Sequence, residues 1–319
     1  MSAQRWRWGV TALLALMLVA AMALTFTWWC ANRPAAPVSA QEIKAHRLKA
    51  MDWLRNNESR VLADPNVALW WMLQLAGKHS GDPYLQRLTQ MAAEQHFSGF
   101  HAREPWRRML EPTAEVNAYA NGVEQLVDYQ KFFHHAMTCQ PMPLEHGDTQ
   151  RFMSEDMCDP MWSQVFWRDA VCTTHQIVGL MLMKQTGCTM LPGSSALQTA
   201  LLDDVEFQLT WDPVVRDPFY QRLLVLAMNG RAERIKPVWL QRMLQSQEAD
   251  GGWLGYRRIP ELPDMLQPWY WRELIAQRRP DIFKPDRLAF DFHASAQAIL
   301  LLTLLDPSLQ ASSAGSGGS

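Results

Sequence analysis

Five stretches of the chain are apolar nearly all round when wound as helices: NVALWWMLQLAG from Asn66, EVNAYANGVEQLV from Glu115, CTTHQIVGLMLM from Cys172, PFYQRLLVLAMNG from Pro218 and FHASAQAILLLTLL from Phe292. A helix without a polar face has to be enclosed on every side. Between these stretches run amphipathic helices. One starts at Gln41, with Ile43, Leu48, Met51 and Leu54 on one face; the others are PYLQRLTQMAAEQ from Pro83, SALQTALLDDVEFQL from Ser195 and PVWLQRMLQSQ from Pro237. Residue–proline pairs punctuate the pattern at Asp64–Pro65, Asp82–Pro83, Glu111–Pro112, Asp159–Pro160, Asp212–Pro213, Asp217–Pro218 and Lys236–Pro237. Proline suits the first turn of a helix, whose N–H groups have no partner inside the helix. Strand signals are few. Alternating enclosed and half-exposed helices predict an all-α fold in two concentric layers over residues 41–308. That is an α/α toroid, an incomplete or closed ring of helical hairpins. The alternative is an open superhelix, and the two differ in whether the last hairpin touches the first.

Ahead of the helical part, Trp8 to Asn32 carries no charge, and tryptophans stand at both ends of the run, Trp6 and Trp8 before it and Trp28 and Trp29 after. Trp8 and Trp28 are separated by about 30 Å of helix, close to the thickness of a bilayer core. Residues 8–32 are therefore expected to be a single-pass signal-anchor. Arg5 and Arg7 keep residues 1–7 in the cytoplasm, and the rest lies in the periplasm or cell exterior beyond the inner membrane. Val38–Ser39–Ala40 offers a cleavage triplet as an alternative, and Cys30 a lipidation site, though Thr27, Trp28 and Trp29 are bulky for one. Residues 33–40, RPAAPVSA, read as a stiff linker. Residues 309–319, ending SSAGSGGS, read as a flexible tail outside the fold. With a net charge of −2 and no basic tract, a nucleic-acid partner is not expected.

In QSQEADGGWLGY, residues 245–256, Gln247 precedes Gly251 and Trp253 by a few positions. This resembles the glutamine–tryptophan repeat of squalene-hopene cyclases and other terpenoid cyclase-like toroids. The resemblance implies the toroid fold and a structural role for the motif, with the glutamine capping and the tryptophan covering the chain. A ligand contact through Trp253 or Tyr256 is the competing reading. The acidic catalytic motif of the cyclases is absent. The nearest acidic cluster, Asp203–Asp204–Val205–Glu206, reads as a solvated face, and no zinc triplet like that of the prenyltransferases can be assigned.

In such a ring the first turns of the inner helices line the mouth of a central cavity. His175 and His293 fall there, near Asp169 and Asp291 respectively. Such residues serve as an acid/base pair or simply as satisfied polar groups at helix starts. Glu115, Asn117 and Tyr119 form a second polar cluster, suited to a sugar or to a neighbouring turn. His134, His135 and His146 fit no zinc spacing, and neither a metal nor a cofactor is expected. A single helix over residues 160–186 would hold Cys172 and Cys188 about 24 Å apart. Either that helix breaks near Thr173–Thr174, or only Cys139–Cys158 forms. The expected function is binding or processing of an envelope or extracellular glycan at a central cleft. The alternative is a non-catalytic assembly module that docks an envelope protein.

Overall fold

Side-chain caps set where three of the described helices begin. The structure, a computed structural model, describes residues 3–98, 103–117, 123–140, 152–154, 157–158, 171–189, 193–255, 258–267 and 292–309. After α1 (Ala3–Asn32), α2 (Ala40–Asn56) opens with a reciprocal cap. The Ser39 hydroxyl accepts from the Glu42 N–H at 3.2 Å, and the Glu42 carboxylate accepts from the Ser39 N–H at 2.9 Å. A short α3 (Glu58–Leu62) follows. Asn66 caps α4 (Val67–Ser80), and Asp82 caps α5 (Pro83–His96). Next come α6 (Asp128–Thr138), α7 (Cys172–Thr186) and α8 (Ser194–Trp211). Pro218 and Pro237 occupy the first turns of α9 (Asp217–Met228) and α10 (Pro237–Gln245), and α11 (Phe292–Leu305) completes the set. Asp212–Pro213 ends a helix rather than starting one, with Asp212 as the C-cap of α8, and Glu111–Pro112 lies in a turn. The fold is all-α: no strand occurs among the described residues, only the isolated bridges Val215–Arg258 and Gln247–Trp253.

Four of the five apolar segments are buried helices, α4, α7, α9 and α11. The fifth corrects the sequence reading. Glu115–Asn117 is not helical, Val123–Gln125 is a 3-10 turn, and α6 supplies the enclosed helix instead. The Glu115 segment carries Asn117, Asn121 and Gly122, which favour turns over helix. α6 carries Phe132, Phe133, Ala136 and Met137, all buried. It packs so closely on α7 that a side chain at Gly179 would collide with the Phe132 ring.

Neighbours follow one another around the molecule. α4 packs on α11, α11 on α9, α9 on α7 and α7 on α6, and the 3-10 helix Pro105–Met109 touches both α6 and α4. α5 packs on α4, α8 on α7 and α9, and α2 on α11. The last helix therefore meets the first helices of this part of the chain. Arg47 of α2 reinforces that contact through a buried ion pair with Asp306, 3.2 Å away and just past α11. Of the acidic cluster on α8, Asp203 and Glu206 pair with Arg231 and Arg234 at the surface.

The disulfides differ from the expected Cys139–Cys158 bond. Cys139 pairs with Cys188 and Cys158 with Cys172. The helix begins at Cys172, so that cysteine meets Cys158 at one end of α7. Cys188 lies just past the other end, beside Cys139 at the end of α6. The two bonds hold α7 at both ends.

α1 contains a 25-residue run, Trp8–Asn32, that is long and apolar enough to cross a bilayer. Its last turn is built into the domain. Cys30 and Ala31 are fully buried, the Trp239 indole donates to the Ala31 carbonyl at 2.8 Å, and the Asn32 amide donates to the Thr210 carbonyl at 2.9 Å. The segment that follows is held as well, since Gln241 donates to the Ala36 carbonyl at 2.7 Å.

Candidate functional site

The glycine-rich stretch turns inward. Gln247 receives the His46 Nδ1 proton at 2.6 Å and donates to the carbonyls of His46 (3.0 Å) and Gly251 (2.8 Å). Gly251 adopts φ +106 against the Lys49 carbonyl, a conformation and a contact that suit glycine alone. Trp253 is fully buried, its indole donating to the Met243 carbonyl at 2.9 Å and its backbone N–H to Ser295 Oγ at 2.9 Å. The motif thus fastens α2, α10 and α11 together. Trp253 has no surface to offer a ligand, which corrects the ligand-contact reading; Tyr256 lies outside the described residues.

A cleft of ≈ 570 Å³ opens where helix N-termini converge. Asn66 and Val67 bring the start of α4, Tyr129 and Phe133 the start of α6, His175 that of α7, Asp217 that of α9 and His293 that of α11. Glu104 and Trp106, around the 3-10 helix, complete the wall. His293 Nδ1 lies 2.6 Å from Asp217 Oδ1, and both side chains are about a quarter exposed, at 26% and 25%. A carboxylate accepts, so the imidazole proton sits on Nδ1 and the basic nitrogen is Nε2. This is the arrangement in which a carboxylate orients a histidine for proton transfer.

The second histidine is held differently. His175 Nδ1 donates to the Val171 carbonyl at 2.7 Å, and its ring lies over Tyr129 (centroids 4.1 Å apart) and near Phe133 (5.6 Å). Its pKa falls to about 4, chiefly through burial, with the nearby His293 adding to the shift and the Val171 carbonyl and Asp217 opposing it. His175 is therefore neutral at pH 7, with Nε2 as an acceptor. Burial also raises the Tyr129 phenol above its ordinary value, which keeps it a donor.

His175 and His293, read from sequence as cavity-facing, do line one cleft. Their expected aspartates, Asp169 and Asp291, lie outside the described residues, as does Tyr119. Glu115 and Asn117 are exposed, outside the lining of this cleft, on a segment whose Asn117 N–H donates to the Arg103 carbonyl at 2.8 Å. The sequence reading missed Asp217, Glu104, Trp106 and Tyr129. Asp217 had a signal: it opens an apolar helix directly before a proline, in the first turn, where His175 and His293 also sit on their helices. Comparison with protein-family models, curated proteins and solved structures finds no match.

Proposed function

We propose that this chain is a membrane-anchored α/α toroid, its domain held outside the cytoplasm at the inner membrane, whose cleft binds and acts on an envelope or extracellular glycan. The observation that carries the reading is the cleft wall, where aromatic faces (Trp106, Tyr129, Phe133) stand beside a carboxylate-oriented imidazole and a neutral one. Sugar rings take apolar contact on their C–H faces and hydrogen bonds at their edges, and both kinds of partner are present. Glu104 and Asp217 supply carboxylates on the same wall, the residue type a glycosidic reaction needs. The ring of neighbouring helices, closed between α11 and α4, supports the toroid.

The anchor reading draws on the seating of α1. Cleavage after Ala40 would remove Cys30, Ala31 and the Ser39 cap, and would leave the Trp239 indole N–H buried without its acceptor. Two disulfides fit an oxidising compartment. The same rigid seating favours a second reading, an assembly module presented to a membrane partner in a fixed pose. Calorimetric titration of the full chain with soluble peptidoglycan fragments and β-linked oligosaccharides separates the two. The glycan reading predicts saturable binding that Trp106→Ala weakens at least tenfold. Absence of binding to every fragment removes it.

A further inference from the structure

Beside the end of α1 lies a loop that has more apolar surface than a loop in water needs. Glu261 sits against that end, its carboxylate 3.7 Å from Arg33 and 2.9 Å from the fully buried Arg242. From this pinned base the chain rises into the 3-10 turn Asp264–Leu266, closed by the Gln267 amide, which donates to the carbonyls of Ile259 and Leu262 at 2.8 and 2.7 Å. Met265 and Leu266 stand on that turn 62% and 55% exposed. They are the most exposed large apolar side chains outside α1 among the described residues. A short turn with a rigid base and two neighbouring apolar side chains at its tip is poorly suited to bulk water.

The base of this loop is tied to the end of α1. Trp28 and Trp29, about half exposed, mark where α1 leaves the bilayer core, and Arg33 lies over the Trp29 ring at 5.7 Å. Glu261 is attached one helical turn beyond, so the loop begins at headgroup depth. The Asn32 side chain also bonds to the Thr210 carbonyl and accepts from Lys236 Nζ at 2.6 Å, which brings a second cation to the end of α1, and the half-buried Trp211 follows Thr210 in sequence. Aromatic rings, cations and apolar tips around a spanning helix are the composition of an interfacial contact.

We propose that the 259–267 loop dips Met265 and Leu266 into the bilayer interface, giving the domain a second attachment to lipid beside its anchor. The inference rests on the membrane-anchor reading of α1. A domain held at two points keeps one pose against the membrane, so its cleft faces a constant direction. The test places an environment-sensitive fluorophore at position 265 (Met265→Cys) or, separately, at position 24 (Leu24→Cys) of the full chain. Both are made in a Cys30→Ala background, because the other four cysteines are bridged. The protein is reconstituted in phosphatidylethanolamine–phosphatidylglycerol nanodiscs, with and without nitroxide-bearing lipid. Blue-shifted emission and loss of intensity to the nitroxide at both positions is the expected result. Quenching at 24 with water-like, unquenched emission at 265 overturns the second attachment and leaves the anchor standing. No quenching at 24 removes the anchor reading and this proposal with it.

Discussion

The clasp at Gln247–Trp253 and the cleft around His293 use the same materials, aromatic rings with a few polar groups at helix ends. In the clasp those groups close on one another: Gln247 meets His46 and Gly251, and Trp253 meets Met243 and Ser295. In the cleft the polar groups face a cavity. Asp217 pairs with His293, whose Nδ1 Gln297 also approaches at 3.2 Å, and both members of the pair keep about a quarter of their side-chain surface exposed. A polar group among aromatics is thus no guide to function by itself. What matters is whether its partners come from the fold or leave room for something else.

Breaking the clasp gives the largest effect. Trp253→Ala removes a fully buried indole and its hydrogen bond, and should cost about 3–5 kcal/mol, a fall in melting temperature on the order of 10 °C in a calorimetric scan. A loss under about 1 kcal/mol would mean that the clasp is not a fastening. The disulfides come next. The Cys139→Ser/Cys188→Ser pair should lose about 2–4 kcal/mol, and peptide mapping without reductant should recover Cys139–Cys188 and Cys158–Cys172 peptides. A Cys139–Cys158 peptide would contradict the pinning of α7 at both ends.

A smaller effect sharpens the cleft side. The folded-state pKa of His175, about 4, lies below its ordinary 6.5, so the unfolded chain takes up the proton first. Its neutral form therefore stabilises the fold fully above pH 6.5, and that contribution is lost progressively as pH falls from 6.5 toward 4. Denaturant melts across this window should steepen for the parent and flatten for His175→Phe. Identical pH profiles would place His175 in a more polar setting than the cleft described here. Asp217→Asn should have the smallest effect on stability, about 1 kcal/mol or less, because the pair it breaks is partly exposed.

The contrast also explains what could be read in the sequence. Four enclosed helices announced themselves because α4, α7, α9 and α11 have little polar surface to show. α6 was hidden. DYQKFFHHAMT has a polar face and two histidines, and only its position between α7 and the Pro105–Met109 turn encloses it. The clasp was legible because glutamine, glycine and tryptophan are close in sequence and each has one physical task. The cleft was half legible. His175 and His293, each in the first turn of an apolar helix, could be found as cleft residues, but Asp217, the partner of His293, is 76 residues away, and no local spacing carries that information. The disulfide pairing failed for a related reason: it depended on where one helix begins, and Cys172 is itself that beginning.

The central claim is that the cleft's polar groups serve something other than the fold. His293→Gln in the full chain tests it most directly, with melting temperature and binding of peptidoglycan or β-linked oligosaccharide fragments measured on the same preparation. The account predicts melting within a few degrees of the parent and binding weakened at least tenfold. A variant that melts far below the parent yet binds as well would contradict it, and would make His293 another fastening like Trp253.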